Sequence, residues 1–260
     1  GLAKQDMVII AVRSMHLAEA AEAMQPLLGP ETMVITLCNG IPWWYFAGTE
    51  SNDKSAPLQA IDPDGRISEC LGVQRAIGCI AYPSLQRLAP GVIEHQFGTR
   101  FTLGEPGGKI SKRLKSVVQV FVDAGLNAAA EKDIREKLWL RLMASTSYSL
   151  ISVPVQRQLN ALFENYNHRK QIVAIMNEIV AVAKAMGVSL SMRPKELLDM
   201  SVLLGGQKTL MQQDIAAGRP AELQALAVAI QELGQRCQIA TPALDKATAV
   251  AIEQATLAGC

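Results

Sequence analysis

The sequence predicts an α/β chain: a parallel-sheet domain over residues 1–132, incomplete at its amino end, followed by an all-helical domain over 133–260. Three observations predict it. MVIIAV (7–12) and TMVITLCNG (32–40) are continuous, β-branched runs, as expected of parallel strands buried on both faces. A helical stretch from His16 to Leu28, with Leu17, Ala20, Ala21, Met24, Leu27 and Leu28 on one side, links them into a βαβ unit of a doubly wound sheet. After Asp133 nearly every segment carries helical periodicity instead.

Taken in order, the first helix is expected to stop at Gly29-Pro30. Residues 41–74 read as a long irregular stretch, IPWWYF followed by Asp, Ser, Gly and Pro, and loops of that length in a compact domain are functional or mobile. IGCIAY, GVIEHQF and RFTLGE read as short strands, the last two joined by a turn at Gly98, and a helix follows from Ser111 to Ala124. The second half divides into helices at 133–152, 157–163, 167–186, 193–204, 207–217, 221–236 and 243–257. Gly187, Gly205, Gly206, Gly218 and Thr241-Pro242 punctuate them. The first run lies so close behind Gly1 that the sheet is expected to continue upstream of this sequence.

Bulk composition narrows the class. Of 260 residues 49% are hydrophobic and 19% charged, which suits a soluble globular protein with a large core. A net charge of +1, with both signs interspersed, gives no footprint for nucleic acid. No run is long enough to cross a bilayer, and five scattered cysteines without a CxxC point to a reducing, cytoplasmic setting with no metal site. The P-loop, zinc-protease and nucleophile-elbow motifs are missing, and so is a G-x-G-x-x-G.

Four places can carry chemistry. In REKLWLRLMASTSYSLIS (135–152), Lys137, Arg141, Ser145 and Ser149 recur at steps of four, so a mostly apolar helix has one polar edge. CNGIPWW sets Asn39 at the carboxyl end of a strand, where open α/β sheets bind ligands, although Asn-Gly also reads as a plain turn. AVRSMH sets Arg13 at the same edge, as an anion-holding guanidinium or a solvated surface residue. Glu222 falls in the first turn after Gly218-Arg-Pro, as a dipole-complementing acid or as a buried binding group.

These segments together resemble a known family. AVRS (11–14), LCNGI (37–41), PGVIEH through GEPGG (90–108), DIREKLWLRL (133–142), KTLMQQDIAAGRPAEL (208–223) and Thr241-Pro242 stand in the order of the ketopantoate reductases, 2-dehydropantoate 2-reductases. The resemblance implies a Rossmann-like cofactor domain, a helical domain closing a cleft, and NADPH-dependent reduction of a 2-keto acid, 2-dehydropantoate to pantoate. A cytoplasmic location, and a homodimer whose interface the apolar helices of the second half could bury, complete the expectations. On the matching positions Arg141, Glu222 and Lys137 become the catalytic candidates. Asn39, Ser145 and Ser149 become substrate-binding, and Arg13, Asn39 and Glu222 cofactor-binding.

The sequence also departs from the family. The general-acid lysine is Arg141, two asparagines are Ser145 and Ser149, and a serine is Leu210. An arginine supplies charge and paired donors but, with a pKa above about 12, is a poor proton donor. Lys137, one turn earlier, is the substitute to consider. Two alternatives stay open: a reductase of another 2-keto acid, and a catalytically impaired or non-catalytic binding protein on this fold.

Overall fold

A computed structural model describes residues 3–49, 56–202 and 206–260. Five strands among the described residues form one sheet. β1 (Gln5–Ile10), β2 (Leu28–Thr36) and β3 (Ala76–Ala81) run parallel, with α1 (Leu17–Met24) crossing between the first two. β6 (Arg100–Gly104) is antiparallel to β3, and β7 (Asn127–Ala130) runs parallel to β6.

The sheet is therefore mixed rather than wholly parallel. The cause lies between β3 and β6, where the chain makes a separate hairpin of β4 (Ser84–Ala89) and β5 (Val92–Phe97) in place of a crossover helix. A returning strand without such a crossover pairs antiparallel. The turn at Gly98 thus hands the chain to β6 but does not pair it with β5. Among the described residues β1 stands at one end of the strand order, and its Ile9 is 45% exposed.

The first helix is shorter than its apolar spacing suggests. It ends at Met24, and Gln25–Leu27 is a single tight turn. Pro26 is the reason, because a proline inside a helix removes a backbone donor and clashes with the preceding turn. Gly29 and Pro30 then lie within β2. The long segment after β2 contains α2 (Arg66–Leu71), whose Ile67 and Ser68 N–H groups donate to the Asp62 carboxylate, both at 2.9 Å. Residues 50–55 of that segment, and 203–205 at the tail of a predicted helix, lie outside the described residues.

α3 (Lys112–Asp123) covers one face of the sheet, burying Leu114, Val117 and Phe121 against Ile35, Ile77 and Leu103. A second core runs from the other face into the helices. α4 (Ile134–Val155) joins the two halves. It approaches the sheet where two glycines make room: a Cβ on Gly104 would stand 2.6 Å from Ile134 Cβ, and one on Gly78 only 2.7 Å from the Trp44 ring. From there α4 continues past the strand ends and packs on α6 (Tyr166–Ala185).

α5 (Leu159–Glu164), α7 (Pro194–Ser201), α8 (Leu210–Ala216), α9 (Ala229–Arg236) and α10 (Pro242–Leu257) complete the helical half. One π-helical turn, Gln224–Val228, precedes α9. No helix among the described residues is long and apolar enough to cross a membrane.

Candidate active site

Three parallel strands deliver their carboxyl ends to one edge of the sheet. Arg13 follows β1, Asn39 follows β2 and Tyr82 follows β3. Open α/β sheets bind ligands at this edge. The helical half supplies Glu222, Asp214 and the polar edge of α4.

The CNGI loop is more than a turn. Gly40 has φ +93, and a Cβ there would lie 2.4 Å from the Ala225 carbonyl oxygen. Ile41 N–H donates to that same oxygen at 3.0 Å. Ala225 belongs to the π turn, which leaves carbonyls outside regular α-helical pairing. Thr146 Oγ1 on α4 donates to another of them, Leu226 O, at 2.9 Å. The π turn thus sets the segment carrying Glu222 against both β2 and α4.

Glu222, only 4% exposed, is held from three directions. Ser14 N–H donates to its Oε1 at 2.9 Å, Asn39 Nδ2 donates to Oε2 at 3.0 Å, and Arg13 Nη1 stands 3.3 Å from Oε2. Asp214, 1% exposed on α8, completes the network with Arg13 Nη2 at 2.6 Å and Arg219 Nη2 at 3.0 Å. Two guanidiniums therefore face two carboxylates, which is the condition for burying such charges. The Cys38 thiol beside them is pushed up to about 12 by burial and by the Glu222 charge, so it stays protonated.

Both Nη atoms of Arg13 are engaged, by Asp214 and Glu222, so it also braces the site from within. Lys137 is engaged likewise. Its ammonium lies 2.7 Å from Glu136 and 3.9 Å from Glu131, and the hydrogen bond to Glu136 raises its pKa. An ammonium tied to two carboxylates is a poorer acid than a free one.

Arg141 is different. Half-buried, it has no ion pair and no hydrogen bond among the described residues; its guanidinium carbon lies 5.7 Å from the Tyr82 ring centroid. Burial lowers its pKa, partly opposed by Tyr82. Ser145 and Ser149 continue the same edge of α4, and neither hydroxyl makes a hydrogen bond among the described residues. The edge ends where Ser152 Oγ meets Thr209 Oγ1 at 2.7 Å, at the start of α8. Leu210 follows there, about half exposed.

An open hollow of about 450 Å³ lies at the other end of α4, lined by Gly48, Glu105–Gly108 and Lys132–Arg135. Its Glu105 and Arg135 side chains are already engaged. Glu105 accepts from Arg113 and Ser111, and Arg135 donates to the carbonyls of Tyr45, Ala47 and Pro106. The unpartnered chemistry is at the strand ends. No cluster among the described residues could hold a metal ion.

A family model described as "Ketopantoate reductase PanE/ApbA" matches residues 2–108, and its companion, "Ketopantoate reductase PanE/ApbA C terminal", matches residues 133–254. The chain belongs to the ketopantoate reductase family. A 2-dehydropantoate 2-reductase of Mesorhizobium japonicum is 37% identical over 259 residues, all of this chain and 79% of the relative. One from Halobacterium salinarum is 25% identical over 247 residues, 94% of this chain and 74% of the relative. A crystal structure of a candidate ketopantoate reductase from Ralstonia solanacearum MolK2 superposes with a TM-score of 0.92 at 30% identity, covering 98% of this chain and 78% of that one. Ketopantoate reductases are oxidoreductases that use NADPH.

The residues present fit the nicotinamide end of that cofactor. Asn39 spends its amide on Glu222 and leaves Oδ1 without a partner among the described residues, an acceptor suited to a carboxamide. No G-x-G-x-x-G occurs in these 260 residues, so a pyrophosphate cradle is not among them.

Sequence reasoning missed Tyr82, Arg100 and the Ser14 amide as parts of this region. Tyr82 was findable, since it directly follows a buried strand at the edge where ligands bind. The other two depend on three-dimensional placement alone.

Proposed function

We propose that this chain is an NADPH-dependent 2-dehydropantoate 2-reductase with a weakened proton-delivery step. The observation that carries this reading is Arg141, an unpaired, half-buried guanidinium at the strand ends, beside a network in which every other charge has its counter-charge. NADPH, when bound, would supply the hydride that the keto carbon takes up. Arg141 offers two parallel donors to the 2-keto acid and positive charge to the alkoxide that develops on its oxygen. Asn39 orients the carboxamide end of the cofactor, and Glu222, fixed by Arg13, Asn39 and Ser14, anchors a substrate hydroxyl. The Ser145 and Ser149 hydroxyls are left to bind the substrate.

The weak point is the proton. A general acid contributes about a hundred- to ten-thousandfold, and a guanidinium gives up its proton poorly even when burial lowers its pKa. Tethered Lys137 does not replace it. The same substitutions favour the second reading, a family member that binds but scarcely turns over, or one that reduces another 2-keto acid.

The test is NADPH binding by fluorescence quenching, then NADPH oxidation with a panel of 2-keto acids. Binding with slow oxidation, fastest on 2-dehydropantoate, is expected. Binding without oxidation moves the chain to the second reading, and no binding at millimolar NADPH removes both. The reading carries with it a cofactor domain up to residue 132, a helical domain from 133, a cytoplasmic location and a homodimer. Light scattering of the purified protein tests the last.

A further inference from the structure

Tyr82 carries a second cation besides Arg141. The Arg100 guanidinium carbon lies 3.9 Å from the ring centroid, and that of Arg141 lies at 5.7 Å. The backbone fixes the arrangement: Arg100 opens β6, and its carbonyl accepts the Tyr82 N–H at 3.0 Å. Neither arginine side chain makes an ion pair or hydrogen bond among the described residues. Arg13, Arg113, Arg169 and Arg219, by contrast, each hold a carboxylate. Two guanidiniums gathered at one ring without a counter-charge repel each other, and the ring's π density offsets only part of that. An anion bound between them offsets the rest.

We propose that Arg100 and Arg141 together seat the carboxylate of the substrate, with Tyr82 as the positioning residue that holds both. This rests on the 2-keto acid reading and assigns to it a further binding residue, Arg100, at the start of β6. A carboxylate has about four lone-pair sites, so it accepts both guanidinium forks at once. Arg141, the more buried of the two, then also lies nearest the adjoining keto oxygen. Discrimination follows from the chemistry: the site favours the free acid over the neutral ester or lactone of the same ketone. Ser145 and Ser149 then have no carboxylate charge to balance.

The experiment compares wild type with Arg100→Leu, Arg100→Lys, Tyr82→Phe and Tyr82→Leu, using 2-dehydropantoate and its neutral lactone. Arg100→Leu should raise KM for the acid about tenfold, as expected for loss of one charge-assisted contact, with kcat within about twofold. The lactone should be unaffected, and Arg100→Lys should restore most of the acid's KM. Tyr82→Leu should reproduce the loss and Tyr82→Phe should not, since the ring face and not the hydroxyl holds the cations.

Equal losses for acid and lactone, or an unchanged KM for the acid in Arg100→Leu, overturn the seat. Calorimetric titration with pantoate separates the two levels. Pantoate binding that weakens in Arg100→Leu, in a protein that never oxidises NADPH, supports the seat and overturns the reductase reading. Wild-type pantoate affinity in Arg100→Leu overturns the seat alone.

Discussion

At the scale of single residues, the difference between Arg141 and Lys137 decides how the site works. Both occupy the polar edge of α4, but Lys137 is bound to Glu136 and Glu131 while Arg141 has no acid beside it. Arg141→Lys should therefore raise kcat by about tenfold or more, because it restores a general acid at that position. Burial lowers a lysine's pKa, so the variant's kcat should fall as pH rises through that pKa, while the wild-type arginine shows no such limb. Steady-state rates between pH 6 and 10 check both points. Lys137→Met should leave kcat within about threefold, since its proton is not the one in use. The spacing of four exposed the polar edge in the sequence, and the resemblance singled out Arg141 on it, with Asn39 and Glu222 from elsewhere in the chain. That Arg13 was already spoken for was not legible, because its acids, Asp214 and Glu222, lie far along the chain.

At the scale of elements, α4 and the Asn39 loop carry the site, and their local chemistry can be tested. Gly40 combines a positive φ with the Ala225 backbone where a Cβ would go. Gly40→Ala should cost at least ~2 kcal/mol in stability and displace Asn39, read by denaturant unfolding and a lost NADPH response. At the other end of α4's approach, the Glu105 carboxyl is buried, which alone would raise its pKa; hydrogen bonds from Arg113 and Ser111 and the Arg113 charge outweigh this and lower it. A depressed carboxyl contributes stability that is present above its unfolded pKa and is lost as pH falls through the folded one. Glu105→Gln should thus cost ~1 kcal/mol near pH 7, discounted for the half-exposed Arg113, and the difference from wild type should shrink as pH falls from the unfolded carboxyl pKa through the lower folded one.

Long periodic elements were legible: α4, α6 and α10 stand within three residues of their predicted bounds at each end. β7, Asn-Ala-Ala-Ala, was not, because its residues have little strand preference and only pairing with β6 makes it one. β4 was hidden for a related reason: its partner β5 lies just beyond a Pro-Gly turn, while the apolar side chains of both strands stay exposed. The shortened α1 was readable from Pro26 and was overridden by apolar spacing.

For the molecule as a whole, the two halves meet through charges as much as through core. Arg13 comes from the sheet, Asp214 and Glu222 from the helices, and both acids are almost fully buried. Removing the shared cation leaves Glu222 without a counter-charge and Asp214 with Arg219 alone, so Arg13→Met should destabilise by ~3 kcal/mol. Arg219→Met, at the exposed side of Asp214, should cost less than ~1 kcal/mol. Thermal unfolding of the two variants side by side checks the contrast. The two-part architecture was legible because helical periodicity takes over after Asp133, whereas the reversal of β6 was not, since strand direction leaves no mark on composition.

The most direct measurement is NADPH oxidation with 2-dehydropantoate by wild type and by Arg141→Met. Turnover in the wild type that falls at least about a hundredfold in the variant, with NADPH affinity unchanged, is the expected result. Equal kcat/KM in the two proteins would contradict the placement of Arg141 over the reacting ketone.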